Sequence, residues 1–352
     1  DPRTPGFAVE RLLEPRGCRN HVDRRGTELL GLTGKLALDL PEPTLQPRNS
    51  VALGSRSGEP LGERDDRAPI DRFDFDAAIL FSDILVVPHA LGQPVRFVEG
   101  EGPRLDPIRS VSELPGLGAG GNDRFERVYE AVGLIRSRLT NDKALIGFCG
   151  APYTVATYMI AGRGSSDQAE TRKFAFAEPN AFQELIDQLV ETSIIYLSNQ
   201  ISAGVNVVQI FDSWAGPLPD DQFERWVVAP TKRIVDALHA SHPDIPVIGF
   251  PRGAAANAAH YIAETGVDGL GCDTATPLHV MSGHLGPKPI VRQGNLDPLL
   301  LMIGGPALDD RIREICTAMR GLPFIFNLGH GIRQWTPPEN VARLVEVVRG
   351  AE

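Results

Sequence analysis

From residue 77 onward the chain alternates short apolar runs with longer segments of helical period. The runs are 77–87, 144–149, 206–211, 246–250, 267–272, 289–294 and 323–328. Each is mostly β-branched or aromatic and is bounded by Gly, Pro or Asp. Continuous apolar runs of this length fit parallel strands buried on both faces. Between them, residues 122–139 place Phe125, Val128, Val132, Ile135 and Leu139 at three- and four-residue spacing. Residues 180–201 do the same with Phe182, Leu185, Ile186, Leu189, Ile194, Leu197 and Ile201, and Ala203-Gly204 supplies a stop. Thr336-Pro337-Pro338-Glu339 reads as a capping box with Thr336 at the N-cap. Strand–helix alternation repeated this often predicts a parallel sheet. The expected architecture is α/β, a (β/α)8 TIM barrel of ~250 residues whose first strand is not recognisable in this sequence. The rival is an open doubly wound sheet, which would carry a phosphate-binding glycine turn after its first strand. The GxGxxG match at Gly116–Gly121 follows SVSELP rather than a strand and reads as a loop.

Composition narrows the class. At 352 residues, 42% hydrophobic and 23% charged, the chain can bury a sizeable core without disulfides or metals. No apolar stretch approaches the roughly 18 residues of a membrane helix, and the N-terminus lacks the apolar run of a secretory signal. Cys18, Cys149, Cys272 and Cys316 are scattered without a CxxC pair, so neither a disulfide framework nor a structural zinc site is expected. A cytoplasmic location is expected. The net charge of −10 disfavours nucleic acid as a partner.

The charge is uneven. Residues 1–70 hold equal numbers of acids and bases, so the whole acidic excess lies in residues 71–352. The opening stretch lacks Tyr, Trp and Met and has one Phe, Phe7; Arg, Gly, Pro and Leu make up 37 of its 70 residues. Two units are therefore expected, an atypical segment 1–70 and a barrel domain 71–352.

In a barrel the chemistry sits at the C-terminal ends of the strands, and these ends are rich in functional groups. The first run carries Ser82-Asp83, and the second leads through Pro152-Tyr153 to Tyr158. The next four end in Asp212-Ser213-Trp214, Pro251-Arg252-Gly253, Asp273-Thr274 and Asn295-Leu296-Asp297, and the last in Asn327-Leu328-Gly329-His330. Ordinary readings exist for most of them. Asp212, Asp273 and Asp297 precede helical segments and could be caps. Arg252 could pair with a loop carboxylate. His330 could be a surface histidine, although its flanking glycines allow close backbone approach. Asp83 is harder to dismiss, because an acid inside an apolar run needs a partner or a ligand. HExxH, HxC, GxxxxGK[ST] and GxSxG are all missing, and His279 and His284 are five apart and share no helix face, so no metal site is expected.

The segments FSDILVVPHALGQPVRFVEGEGPRL, GFCGAPYTVATYMIAGRGS, QIFDSWAG, IGFPRG, QGNLDP and FNLGHG occur in an order and spacing that resembles the uroporphyrinogen decarboxylase family over about residues 71–350. The resemblance implies a (β/α)8 barrel working as a homodimer without metal or organic cofactor. It implies removal of the four acetate carboxyls of uroporphyrinogen III as CO2, giving coproporphyrinogen III in heme and tetrapyrrole biosynthesis. Asp83 then corresponds to the family's essential aspartate, which accepts hydrogen bonds from the pyrrole N–H groups. Tyr158, Ser213 and His330 correspond to residues that contact substrate carboxylates or the macrocycle, and Asp83, Tyr158 and His330 are the catalytic candidates. Two further readings stand beside this one. One is a non-catalytic tetrapyrrole-binding or dimer-partner protein. The other is a zinc-dependent methyltransferase of the same superfamily, whose His and Cys ligand pair is not found here.

The sequence departs from the family at one place. An Arg-Gln-Ala-Gly-Arg-Tyr motif on the family's first strand supplies arginines that grip the substrate, and residues 1–70 do not contain it. A substrate with eight carboxylates entering an acidic protein needs such arginines, so this polypeptide is expected to have little or no activity. Asp83 keeps about the family's distance from the N-terminus. That points to part of residues 1–70 being a wrong reading frame, with the true frame resuming near Ile70; the other reading is a diverged or disordered region. The chain begins at Asp1 rather than Met and is expected to be incomplete.

Overall fold

A computed structural model describes residues 68–80, 82–98, 102–116, 125–164, 167–286 and 288–351. Nine strands are present among them: β1 (Ala77–Ile79), β2 (Val95–Val98), β3 (Gly102–Leu105), β4 (Ala144–Gly150), β5 (Val207–Asp212), β6 (Val247–Pro251), β7 (Gly269–Gly271), β8 (Val291–Leu296) and β9 (Phe324–Leu328). β2 and β3 form a separate antiparallel hairpin with Val95 opposite Leu105. The other seven are neighbours in the order β1-β4-β5-β6-β7-β8-β9, and every pair is parallel.

Strand periodicity explains why apolar residues occur on both faces of these strands. Successive side chains point to opposite faces of a sheet. On β5, Val207 and Phe211 face an inner cluster with Ala77, Ile79, Ile146, Ile248, Phe250, Val291 and Ile325. Val208 and Ile210 face the other way, into the larger core shared with the surrounding helices. Both faces are covered, so neither tolerates an exposed polar row. The inner cluster draws on β1 and on β9, the two end strands of the described sheet, so the sheet curls around one interior. Two polar groups inside it satisfy each other: Gln209 Nε2 donates to Gln293 Oε1 at 2.9 Å.

Each of the seven apolar runs overlaps a sheet strand, and the barrel class is borne out. The eighth strand, expected from residues 1–70, falls almost wholly outside the described residues. Other boundaries differ from expectation. The run 77–87 is a strand only over Ala77–Ile79, and Val86–Ala90 is a short helix. The turn between them is closed by Asp83, whose Oδ1 accepts the Leu85 N–H at 2.9 Å and whose carbonyl accepts the Val86 N–H at 3.1 Å. Burial, not strand geometry, makes this stretch apolar.

The helical segments appear as Glu126–Arg138 and Pro179–Ala203. The second ends at Gly204, whose φ of 120° suits a residue without Cβ. The last helix runs from Pro338 to Arg349 with Pro337 at its N-cap and no side-chain cap bond. The capping box is therefore one residue out of register. Thr336 is buried, and its backbone N–H donates to the Arg333 carbonyl at 3.0 Å, which ties it to the preceding turn instead. Gly116 ends a short 3-10 turn, Val111–Gly116, and the rest of the glycine run lies outside the described residues. Among the described residues no helix is long and apolar enough to cross a membrane.

Candidate active site

Because the sheet strands are parallel, their C-terminal ends share one rim, and the polar strand-end residues collect there. Asp83 is half-buried just past β1. Burial raises its carboxyl above the usual carboxylate range, and the Leu85 N–H acts against that rise. Its neighbour Ser82 is buried, with Oγ 3.0 Å from the Tyr196 hydroxyl. Tyr158 lies on the helix Pro152–Ala161, which follows β4. Its ring sits 6.4 Å from that of Trp214, tilted by 51°. Burial raises its hydroxyl, the Trp214 indole pulls it down, and the charge of Asp83 adds to the rise. Asp83 and Tyr158 are thus electrostatic neighbours.

Ser213 and His330 line one open cleft of about 630 Å3. Trp214, Arg252, Asp273, Asp297 and Arg333 also line it. Trp214 connects Tyr158 to this cleft through their ring contact. His330 additionally lines a small cavity of about 20 Å3 in the barrel interior, beside Gln209, Gln293 and Asn327. Ser213, His330 and, through Trp214, Tyr158 are therefore brought together. Asp83 is within electrostatic reach of Tyr158 and is not on the lining of the open cleft.

Loops reach this rim because glycines let backbones touch. A Cβ on Gly329 would lie 2.2 Å from the Thr274 amide nitrogen, so the loop after β9 lies hard against the turn after β7. A Cβ on Gly216 would lie 2.8 Å from the Cα of Gly253, where φ is +80°. That contact joins the loops after β5 and β6, which carry Ser213 and Arg252.

The three strand-end aspartates divide. Asp297 is a true cap, accepting the Leu299 N–H at 2.8 Å. Asp273 pins a turn, accepting from the Ala275 N–H at 2.9 Å and the Thr276 hydroxyl at 3.1 Å, and from the Gly253 N–H across the rim. Asp212 is not a cap. It is buried at the end of β5, and its Oδ1 accepts from the Thr154 hydroxyl at 2.5 Å. Thr154 Oγ1 in turn accepts the Trp214 N–H at 3.2 Å. Burial pushes the Asp212 carboxyl up to about 7, with Thr154 and the Trp214 amide acting against that rise. The reading of Arg252 as half of a loop ion pair also fails: among the described residues its side chain has no carboxylate partner. Arg333 was not singled out from the sequence; the signal was a cation three residues past His330 in the same loop.

Among the described residues no group of three or more His, Cys, Asp or Glu side chains could hold a metal ion. Cys149, Cys272 and Cys316 are buried free thiols.

Comparison with known proteins places this arrangement. The family model described as "Uroporphyrinogen decarboxylase (URO-D)" matches residues 66–351. A uroporphyrinogen decarboxylase of Mesorhizobium japonicum is 53% identical over 291 residues, 80% of this chain and 82% of that protein. One of Rhizorhabdus wittichii is 50% identical over 285 residues, 80% of this chain and 81% of that protein. A solved methyltransferase from Methanosarcina mazei shares the fold with a TM-score of 0.68 at 20% identity, over 81% of this chain and 83% of its own. At that identity the likeness concerns architecture alone. A parallel barrel with its polar residues gathered on one rim, and half-identity across four-fifths of the chain, together show that this chain belongs to the uroporphyrinogen decarboxylase family.

Proposed function

We propose that the barrel removes the four acetate carboxyls of uroporphyrinogen III as CO2 and yields coproporphyrinogen III. The observation that carries this is the family match over residues 66–351, which spans every strand end described above. The residue chemistry suits the reaction. Breaking the bond between an acetate carboxyl and its methylene leaves an electron pair that needs a sink. A pyrrole protonated at a ring carbon is iminium-like and accepts that pair; a proton then completes the methyl group, and the ring carbon releases its own. A fixed anion beside the ring stabilises the developing cation, most strongly where water is excluded. Asp83, half-buried and held by the Leu85 N–H, is our choice for that anion. Tyr158 and His330 are assigned to donate hydrogen bonds to carboxylates, and Ser213 to contact the macrocycle from the opposite loop. Imidazole titrates near neutral pH, so His330 can also carry a proton.

We assign the chain to the cytoplasm and to a homodimer. Leu299 and Ile303 on the helix that begins at the cleft-lining Pro298, and Trp335 on the loop beyond Arg333, are large hydrophobic residues left exposed. Sedimentation analysis tests this: a dimer is expected, and a monomer at micromolar concentration would overturn it.

Residues 1–70 are proposed to be a separate unit in which the family's arginine motif is lost, in part through a change of reading frame. Translating the DNA upstream of Ile70 in all frames tests this. Recovery of Arg-Gln-Ala-Gly-Arg is expected, and its absence from every frame would refute a frame change. The role of Asp83 is tested in a chimera whose first ~65 residues come from a family member with that motif. Removing a preorganised charge partner should lower turnover by a factor of 100 or more in Asp83→Asn. Unchanged turnover would remove Asp83 from the mechanism.

A further inference from the structure

We propose that Arg252 and Arg333 form a carboxylate-binding pair at the cleft rim that takes two separate acidic arms of a polycarboxylate ligand. The identity of the ligand as a tetrapyrrole rests on the proposed decarboxylase function; the anion site itself rests on the structure.

Both side chains line the same cleft. Several other arginines are engaged with carboxylates: Arg96 with Asp106, Arg233 with Asp187 and Glu191, Arg343 with Asp309, Arg349 with Asp74. Among the described residues, Arg252 and Arg333 have no carboxylate partner. The carboxylates nearest to hand are already occupied. Asp273 accepts three donors from its own turn and the neighbouring loop, and Asp297 caps a helix. The two guanidinium groups are thus left as charged fork donors facing an open volume, the arrangement that recognises carboxylates bidentately.

Their placement decides what they bind. Arg252 directly follows β6 and Arg333 lies five residues past β9, with β7 and β8 between those strands. At ~4.8 Å per strand the three intervals put the two stations of the order of 14 Å apart around the rim. Backbone stations on separate strands at that spacing suit two arms on different sides of a macrocycle. Both stations are held by the backbone. The Arg252 N–H donates to the Asp212 carbonyl at 3.0 Å, and the Arg333 carbonyl accepts the Thr336 N–H at 3.0 Å. In a chain of net charge −10, local cations are also what allows a polyanion to approach. The pair would give this chain a residual grip on an anionic ligand where the family's N-terminal arginines are missing.

The test is a fluorescence titration of the full chain with uroporphyrin III, the stable oxidised form with the same eight carboxylates, at two ionic strengths. Arg252→Gln should weaken binding about tenfold and the more exposed Arg333→Gln about threefold. The double variant should also show a shallower salt dependence. Arg252→Lys, which keeps the charge and loses the fork, should fall between parent and Arg252→Gln. Arg311→Gln, a distant surface change, should bind as the parent does. Among the described residues neither cleft arginine makes an ion pair, so melting temperatures should match, and a variant that melts early is replaced by its Lys counterpart for the comparison. Parent-like binding by the double variant, or no uroporphyrin binding by the parent chain, would overturn the proposal. CO2 release is assayed separately, so loss of arginine-dependent binding and loss of decarboxylation are told apart.

Discussion

Asp83 and Asp212 are both acids at strand ends whose carboxyls burial raises, yet they do different things. Asp83 closes the turn that ends β1 and is within electrostatic reach of Tyr158, whereas Asp212 is sealed under Thr154 and organises the loop that carries Ser213 and Trp214. The sealed group has a pH signature. Its pKa lies near 7 folded and about 3.9 unfolded, so between roughly pH 4 and 7 the folded state holds more protons and stability falls as pH rises. His239 adds to the fall: its hydrogen bond to Asp268, at 3.0 Å, raises its pKa. The stability it contributes is complete below its unfolded value of about 6.5 and is lost as pH rises through the folded one. Asp212→Asn separates the two. Urea midpoints at pH 5, 6, 7 and 8 should drop less in the variant, by an amount of order 1–4 kcal/mol over the range; parallel curves would mean that Asp212 is ionised and compensated at all these values. At this scale the sequence was readable where a residue type clashed with its surroundings, as Asp83 does in an apolar run. It was not readable where identity depends on a partner far along the chain. Asp212, Asp273 and Asp297 look alike in sequence, and only Thr154 and Thr276 distinguish two of them from the cap.

Elements were legible in proportion to how strongly burial constrains them. Most of the seven sheet strands show as largely apolar runs because both faces are covered, β8 with Arg292, Gln293 and Asn295 least so. The hairpin β2–β3 was missed because its strands lie apart from the barrel sheet and carry Arg96 and Arg104, so neither reads as an apolar run. Cap chemistry was misplaced for a local reason: Thr336 has the right type but is drawn into the preceding turn, while Asp297 makes the bond. Asp297→Ala should therefore cost about 1 kcal/mol in denaturant unfolding. Thr336→Val, which keeps the shape of a buried side chain whose Oγ1 has no partner among the described residues, should cost less than that. The reverse order would restore the capping box. Gly329 is an element-level joint. Gly329→Ala forces apart the loops after β7 and β9, with an expected loss of 1–3 kcal/mol and weaker uroporphyrin binding as His330 shifts. A neutral effect would mean that these loops are not tightly packed.

For the whole molecule the uneven composition carries the consequence. The barrel holds the entire charge excess of −10 and belongs to a family whose relatives named here are uroporphyrinogen decarboxylases. The match begins at residue 66, and the stretch before it holds arginines but not in an Arg-Gln-Ala-Gly-Arg-Tyr motif. Fold class and family were readable from ordered strand-end motifs, because parallel strands bring residues distant in sequence to one rim. That Arg333 lines the same cleft as Arg252 was not readable, because a free guanidinium and a paired one have the same letter. The decisive measurement is coproporphyrinogen formation from uroporphyrinogen III by this chain and by the chimera with the family N-terminal segment, side by side. The expected result is turnover by the chimera and at least a hundredfold less by the chain as it stands. Equal turnover would show that the N-terminal arginines are dispensable here, and no turnover by a folded chimera would refute the decarboxylase assignment.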